Sequence, residues 1–195
     1  MTDPLQLQTP LVGKETVNNE WFHLIFDVPE IARQSLPGQF IHLKYERPDA
    51  PLLRRPISIY STANQQLHLL IKTMGKGTQQ MRESQIGDLF SILGPVGNTF
   101  PHFEQKRLLF ISGGIGFAPL HFLYEYLHAT NNIVFWQGSQ TAETVPTFSF
   151  DQLFTDDGSQ GRLGWLTDFL PEYLQQDRDF AGIICCGPHI LMEKV

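Results

Sequence analysis

Residues 107–127 read RLLFISGGIGFAPLHFLYEYL, and this segment decides how the rest of the chain is interpreted. It begins with the apolar run 108–111, which is typical of a buried strand. A glycine turn follows, and from Phe117 apolar side chains recur at helical spacing. Pro119 fits the first turn of such a helix, because its missing N–H has no partner there in any case. The segment therefore predicts a strand that leads into a helix through a glycine turn.

This glycine turn has two interpretations when it is considered alone. Its N–H groups and the positive end of the helix would suit the pyrophosphate of a dinucleotide. The motif is Gly-Gly-x-Gly-x-Ala-Pro, however, and not the Gly-x-Gly-x-x-Gly of dinucleotide-binding Rossmann folds. A plain strand-to-helix turn with a glycine cap explains the stretch equally well.

Composition limits the classes of protein to which the chain can belong. Of its 195 residues, 42% are hydrophobic and 17% are charged, which suffices for packed cores and argues against disorder. The net charge of −6 makes nucleic acid or an anionic membrane an unsuitable general partner. Cys185 and Cys186 are adjacent, so they form neither an ordinary structural disulfide nor a metal site unaided. We therefore expect that the chain holds no metal site and that it binds neither nucleic acid nor a membrane. We also expect it to lie in a reducing cytoplasm.

The first half of the chain has the pattern of an all-β domain. Apolar residues alternate with polar ones in short runs that are separated by turn residues, with one short helix possible at 78–83. Strands are predicted at 5–17, 21–28, 39–45, 55–60, 67–73 and 89–93. This pattern predicts a six-stranded antiparallel β-barrel over residues 1–101.

The second half changes to alternating strands and helices. Strands are predicted at 108–111, 132–137 and 181–186, and helices from 117, at 148–154, at 164–174 with Thr167 as cap, and after Pro188. Such alternation is typical of a parallel sheet with covering helices. We therefore predict a second, Rossmann-like α/β domain over residues 102–195.

Three stretches of the predicted barrel stand out, and two of them could bind an anion. Arg54 and Arg55 precede a proline and Ser58 on a strand that should be mostly apolar, and the turn 75–78 puts glycines and a hydroxyl before a helix. The third is Gly-Pro-Val-Gly at 94–97. Simpler interpretations are exposed arginines on an edge strand, a hairpin loop and a barrel exit loop. The joint occurrence of the three favours a shared function.

Three turns of the second half follow the carboxyl ends of predicted strands, at 113–116, 138–139 and 186–188. Because open parallel sheets bind ligands beyond these ends, we expect the turns to line one crevice. Cys186 has a simpler interpretation as a small buried side chain that ends a core strand. The pair Asp156 and Asp157 could likewise be a solvated acidic turn.

These motifs together carry a resemblance. RPIS at 55–58, GKGT at 75–78, GPVG at 94–97, GGIGFAP at 113–119 and CGP at 186–188 occur in the order found in ferredoxin–NAD(P) reductase-like flavoproteins. The loop TDDGSQG at 155–161, with Thr167 and Asp168 after it, resembles more narrowly the electron-transfer subunit of the B-type dihydroorotate dehydrogenase. The chain is also similar to the small subunit of a ferredoxin-dependent NAD(P) transhydrogenase. The resemblance covers nearly the whole chain.

The resemblance implies a role for each motif. Arg55 would neutralise the pyrophosphate of FAD, for which a planar, permanently charged guanidinium is better suited than lysine. Ser58 would face the flavin N5–O4 edge and Cys186 the nicotinamide, and these two are the implied catalytic residues. The other residues implied in FAD binding are Pro56, Ile57, Ile71, Lys72, Thr73, Gly75, Gly77 and Thr78. Those implied in binding NAD(H) are Gly113, Gly114, Gly116, Gly138, Ser139, Asp156, Asp157, Gly187 and Pro188.

The implied function is that of an FAD-containing electron-transfer subunit. It would take hydride from NADH and pass electrons to a larger FMN-bearing dehydrogenase in a hetero-oligomer that serves pyrimidine biosynthesis. NADH is expected over NADPH, because the loop after Ser139 offers no arginine for a 2′-phosphate and the acidic pair would repel one. The alternatives are a stand-alone NAD(P)H flavin or ferredoxin reductase, the transhydrogenase subunit, and a non-catalytic nucleotide-binding module.

The sequence departs from the family in one respect. The family carries a cysteine-rich segment for a [2Fe–2S] cluster, which needs about four thiolates, whereas this chain has 2 cysteines. His189 and Ile190 also replace the family's small residue and proline. Two explanations are open, a shortened chain or a variant that passes electrons directly from flavin. The shortened chain is favoured, because the helix expected at the last residues would otherwise lie at an unfinished domain edge.

Overall fold

The computed structural model describes residues 3–195, and the chain forms two compact units. The first unit ends at Phe100 and the second begins at Pro101. No helix within residues 3–195 is long and apolar enough to cross a membrane.

The first unit is a single antiparallel sheet of six strands with two short helices. The strands are β1 (Leu5–Thr16), β2 (Trp21–Phe26), β3 (Phe40–Tyr45), β4 (Arg55–Ser58), β5 (Leu67–Lys72) and β6 (Leu89–Val96). The helices are α1 (Pro29–Gln34) and α2 (Lys76–Glu83). The strand order is β4-β3-β6-β1-β2-β5, so β4 and β5 are the two edges. The predicted six-stranded antiparallel architecture is confirmed.

The two edges of this sheet approach each other and nearly close it into a barrel. Just beyond β4, the backbone N–H of Tyr60 donates to the His68 carbonyl on β5 at 3.0 Å. The N–H of His68 donates in turn to the Ser61 carbonyl at 3.0 Å. Closure leaves few unpaired edge groups and encloses a core that includes Phe22, Phe26 and Phe90, each with 0% exposure.

The second unit is a five-stranded parallel sheet covered by helices. Its strands are β7 (Arg107–Gly113), β8 (Asn132–Ser139), β9 (Gln152–Thr155), β10 (Arg162–Leu163) and β11 (Gly182–Cys186). Its helices are α3 (Phe117–Leu127), α4 (Leu166–Gln176) and α5 (His189–Lys194). All strand pairs are parallel, in the order β10-β9-β8-β7-β11. The predicted Rossmann-like α/β architecture is confirmed, with β7 in the interior of the sheet.

β7 is apolar over residues 108–111 because both of its faces are covered there. Leu109 and Ile111 join Trp136, Leu166 and Leu170 in one buried cluster. On the other face, an aromatic group fills the space beneath α3. Its members are Phe110, Phe117, Tyr124, Phe135, Phe148 and Phe150. This double burial explains the continuous apolar run at 108–111.

Two predictions about local structure are wrong. Residues 148–154 do not form a helix: Phe148 and Phe150, two positions apart, both pack on Phe135 at ring distances of 5.3 and 5.4 Å. That spacing of two belongs to extended chain, which continues into β9. Thr167 does not cap α4, which starts at Leu166 with Trp165 in the capping position and no side-chain cap bond.

A bidentate ion pair fastens the start of β7 to the end of α4. Arg107 donates from Nη1 and Nη2 to the two carboxylate oxygens of Asp177, at 2.5 and 2.6 Å. The Arg107 guanidinium also lies 4.5 Å from the Phe180 ring centre. Hydrogen bonds from Arg107 lower the pKa of Asp177 below its ordinary value. This fork lies at the amino-terminal edge of the sheet, away from the glycine turns.

Candidate cofactor-binding sites

Strand β4 carries four of the predicted FAD-binding residues, and its register divides them between two faces. Arg55 pairs with Leu43, and Ile57 pairs with Ile41. Pro56 and Ser58 pair with His42 and Phe40. Because side chains alternate along a strand, Arg55 and Ile57 share one face, and Pro56 and Ser58 share the other. The strand therefore does not bring the Arg55 guanidinium and the Ser58 hydroxyl together on one face.

The Arg55 guanidinium lies against the first turn of α2. A Cβ atom at residue 77 would be 2.9 Å from both Nε and Nη2 of Arg55, so this close approach requires glycine. Arg55 Nη1 donates to the Leu53 carbonyl at 2.6 Å. Among the ion pairs of residues 3–195, none joins Arg55 to a carboxylate. A cation thus lies beside the positive end of a helix whose first N–H groups have no partner within the helix.

This arrangement fits an anion such as the FAD pyrophosphate. Helix-end N–H groups and a guanidinium are the usual donors to phosphate oxygens, and Gly77 allows them to lie close together. A cation beside a positive helix end is unfavourable without an anion between them. The predicted grouping of Arg55 with Gly77 is therefore present in the structure.

The Thr78 side chain makes hydrogen bonds within this turn. Its Oγ1 accepts the backbone N–H groups of Met74 and Gly75 at 2.8 and 3.2 Å. It also donates to the Gly75 carbonyl at 3.0 Å. The hydroxyl thus orders the start of α2, and any contact of Thr78 with a phosphate would use its backbone N–H.

The predicted residues on and after β5 lie at the second edge of the sheet. Ile71 is buried, with 2% exposure. Lys72 pairs with Glu20 at 2.9 Å, and the Thr73 N–H donates to the Glu20 carbonyl at 2.8 Å. Edges β4 and β5 contact each other, so the two groups of predicted residues are neighbours.

In the second unit, the predicted NAD(H)-binding turns lie at one edge of the sheet. Gly113 pairs with Gly138, and Ser112 pairs with Cys186, so the strands β7, β8 and β11 end side by side. Gly114 and Gly116 lie in a short 3-10 turn that leads into α3, and Gly187 and Pro188 lead into α5. Ser139 ends β8 beside Thr155 of β9, after which Asp156 and Asp157 follow.

Gly116 brings two of these turns into contact. A Cβ atom at this position would lie 2.2 Å from the Cys186 carbonyl oxygen and 2.7 Å from the Gly187 nitrogen. Both are backbone atoms, which cannot move aside as a side-chain end can. The glycine is therefore required by packing, in addition to any contact with a dinucleotide.

A chain of buried polar side chains lies beneath this edge and was not predicted. Ser112 donates to Gln137, whose amide donates to Ser139 Oγ at 3.1 Å. Ser112 and Gln137 have 0% exposure. Ser139 donates onward to the Thr144 carbonyl at 3.3 Å. The signal available in the sequence was a glutamine that ends an apolar strand, since such a buried amide needs partners.

The acidic loop after β9 is ordered by its own hydrogen bonds. Asp157 accepts the N–H and the hydroxyl of Ser159 at 3.0 and 2.6 Å, and these bonds lower its pKa. Partial desolvation, followed by the charge of Asp157, raises the pKa of Asp156. Ser159 Oγ also accepts the Ala142 N–H at 2.7 Å, which joins this loop to the segment after β8.

Cys185 and Cys186 lie side by side at the end of β11, and both thiols are protonated at neutral pH. Burial, with a smaller contribution from Cys186, raises the pKa of Cys185 to about 11. Burial also raises the pKa of Cys186. A thiol with a raised pKa is a poor nucleophile, so Cys186 has the character of a packing residue beside the turn.

A metal centre is not assembled by the residues that the structure describes. Within residues 3–195, no three His, Cys, Asp or Glu side chains are close enough to hold a metal ion. With its 2 cysteines, this part of the chain also does not supply the four thiolates of a [2Fe–2S] cluster.

Comparison with known proteins decides the family. The model of the oxidoreductase FAD-binding domain matches residues 8–100. Two similar proteins are dihydroorotate dehydrogenase B (NAD(+)) electron transfer subunits. The subunit from Desulforamulus reducens is 32% identical over 89% of this chain, and the one from Geobacillus thermodenitrificans is 32% identical over 95% of it. The chain spans 70% and 76% of their lengths. This chain belongs to that family of FAD-binding oxidoreductases.

Solved structures agree with this family's fold. An NADH-dependent reduced ferredoxin–NADP oxidoreductase superposes with a TM-score of 0.83 at 21% identity, covering 95% of this chain and 69% of that one. The CS-b5R domains of human Ncb5or superpose with a TM-score of 0.82 at 21% identity, covering 99% and 65%. At these identities the likeness concerns the fold alone, which is the ferredoxin reductase-like fold.

Proposed function

We propose that this chain is an FAD-dependent electron-transfer subunit that carries electrons between NADH and a larger, FMN-containing dehydrogenase of the dihydroorotate dehydrogenase type. The observation that carries the proposal is the contact of the Arg55 guanidinium with Gly77 at the start of α2. This contact lies within residues 8–100, the region matched by the FAD-binding domain. The match supports FAD in the first unit and, by the resemblance, NADH in the second.

In this proposal the chain's own residues bind and orient the two nucleotides. Arg55 and the first turn of α2 hold the pyrophosphate of FAD, while Ser58 and the backbone of β5 lie along the flavin. Bound FAD supplies the redox chemistry, since it accepts hydride and releases electrons singly. No side chain has to move a proton for this exchange, in agreement with the raised pKa of the half-buried Cys186 thiol.

The carboxyl edge of the second sheet would receive NADH. The turn at Gly113 and Gly116 precedes α3, whose positive end favours a dinucleotide phosphate. Asp157 is a carboxylate at neutral pH, as an aspartate ordinarily is, and the hydrogen bonds from Ser159 lower its pKa further. A carboxylate there disfavours the 2′-phosphate of NADPH, which supports NADH as the electron donor.

The first test is stoichiometry and reduction. We expect the purified chain to be yellow with one FAD per chain, and we expect NADH to bleach that FAD anaerobically much faster than NADPH does. Loss of all flavin under saturating FAD would contradict the electron-transfer proposal and favour a nucleotide-binding module. Reduction by NADPH at the same rate would contradict the role of Asp157 alone.

The second test concerns the partner and the pathway. Affinity purification from the source cells, followed by mass spectrometry, should enrich an FMN-containing dehydrogenase of pyrimidine biosynthesis in the cytoplasmic fraction. The matched control is the same purification with an unrelated tagged flavoprotein. Rapid turnover with free flavin and no enriched dehydrogenase would indicate a stand-alone reductase instead.

A further inference from the structure

Arg54, the residue before β4, makes a contact to which no role has been given above. Its Nη1 donates to the Ser91 carbonyl at 3.0 Å, and its Nη2 donates to Ser91 Oγ at 2.9 Å. Ser91 is on β6 and has 1% exposure. The guanidinium thus reaches across β3, which lies between β4 and β6 in the sheet.

The start of β4 has few other attachments. β4 is an edge strand that pairs with β3 alone within residues 3–195, and Pro56 has no N–H to contribute to that pairing. The residues that lead into the strand give no packing support, because Leu52 and Leu53 are 84% and 74% exposed. The double hydrogen bond of Arg54 therefore fixes a segment that would otherwise be free to shift.

Arg55 depends on this attachment because it is the next residue along the chain. Consecutive side chains of a strand point to opposite faces, so Arg54 reaches β6 while Arg55 reaches the first turn of α2. We propose that Arg54 is a positioning residue: by fastening β4 to Ser91, it holds the Arg55 guanidinium against Gly77 and so sets the affinity for the FAD pyrophosphate. This inference rests on the proposed FAD-binding function.

The chemistry of the contact requires arginine. A guanidinium presents two parallel N–H groups in a rigid plane, which match the carbonyl and hydroxyl oxygens of one serine. A lysine at position 54 would keep the charge but offer one ammonium group without a fixed orientation. We therefore expect Arg54→Lys to raise the Kd for FAD nearly as much as Arg54→Ala does.

A double-mutant cycle tests the inference. The Kd for FAD is measured by flavin fluorescence in the wild-type chain, in Arg54→Ala, in Arg55→Ala and in the double variant. We expect each single variant to raise Kd by about tenfold or more, as for loss of a charge-assisted hydrogen bond. In the Arg55→Ala background, Arg54→Ala should change Kd by less than about twofold, because Arg54 acts through Arg55. Additive effects would overturn the proposal.

Two controls separate positioning from charge and from general damage. Arg33→Ala removes a cation that bonds Gln65 on the same unit, and it should leave Kd unchanged. Arg54→Lys retains the charge and the apolar stem, so it replaces Arg54→Ala in the measurement if Arg54→Ala does not fold. A wild-type Kd for FAD in Arg54→Lys would refute the proposal. If the wild-type chain binds no FAD, the proposed function is refuted. If Arg55→Ala raises the Kd for FAD and Arg54→Ala does not, only the positioning role of Arg54 is refuted.

Discussion

At the scale of single residues, the guanidinium of Arg55 occupies the space that a side chain at position 77 would fill. The sequence indicates both residues as parts of separate motifs, but no pattern shows that they touch. That contact arises from closure of the sheet, which brings the loop before α2 to the strand at the opposite edge. Ser58 lies on the other face of β4 from Arg55, because side chains alternate along the strand.

Gly77→Ala should weaken FAD binding with little loss of stability. The new Cβ would approach the end of the flexible Arg55 side chain, which can move away at low cost. We expect Kd for FAD to rise about tenfold, as for a lost hydrogen bond to a charged group, with the melting temperature of the apoprotein nearly unchanged. Gln79→Ala is the matched control, since Gln79 is an exposed residue of the same helix whose side chain bonds Glu83. Equal effects of the two substitutions would contradict the prediction.

The raised thiol pKa values predict slow alkylation. Burial raises the pKa of Cys185 to about 11 in the folded chain, so this thiol stays protonated at neutral pH. Because the folded chain holds this proton more tightly than the unfolded chain, the protonated thiol contributes to the free energy of unfolding. This contribution is complete below the ordinary thiol pKa of 9.0 and is lost as the pH rises through about 11. Iodoacetamide at pH 8 should therefore modify the folded chain far more slowly than the urea-unfolded chain. Equal rates would show that the thiols are exposed and ionised.

At the scale of elements, the sequence predicted most strands but misjudged segments that depend on tertiary packing. The strand at 108–111 and the helix from Phe117 follow from hydrophobic period alone. Residues 148–150 extend because two phenylalanines must reach Phe135 on the same side. Helix α1 was missed because it has six residues, although Pro29 at its start is a recognised signal. Arg54 was noted in the sequence, but its Ser91 contact depends on the order β4-β3-β6.

Gly116→Ala should destabilise the second unit. Its Cβ would lie within 2.5 Å of both the carbonyl carbon and oxygen of Cys186, so the turn or the end of β11 must shift. We expect a loss of about 1–3 kcal/mol in the free energy of unfolding, as for other overpacked sites. The matched control is Gly182→Ala on β11, where the new Cβ would lie 3.7 Å from its nearest atoms. Urea unfolding measures both, and a stable Gly116→Ala would disprove the packing requirement.

At the scale of the whole molecule, the chain divides at Phe100, and the FAD-binding domain match ends at the same residue. Each unit carries its own buried aromatic core. The change in hydrophobic period near residue 107 predicts this division, because barrels and parallel sheets bury their strands differently. The buried contact of Ser112 with Gln137 on the neighbouring strand has no comparable signal in the sequence.

Added FAD should stabilise one part of the chain selectively. At a free concentration of one hundred times Kd, a ligand that binds the folded state adds about 2.7 kcal/mol to its stability. In calorimetry of the full chain, we expect FAD to raise one of two transitions, and we expect Arg55→Ala to reduce that shift. A single transition that moves as a whole would contradict independent unfolding of the two units.

The position of β11 in the sheet has a consequence for how the second unit forms. β11 pairs with β7, and the contact of Arg107 with Asp177 joins residues 70 positions apart. Synthesis must therefore reach Cys186 before the second neighbour of β7 is available, long after β8. Pairing over such a separation is slow, because the entropy of closing the intervening loop is lost before the strands make contact. Until then β7 keeps one unpaired apolar edge, and the nascent chain is most prone to aggregation at that stage.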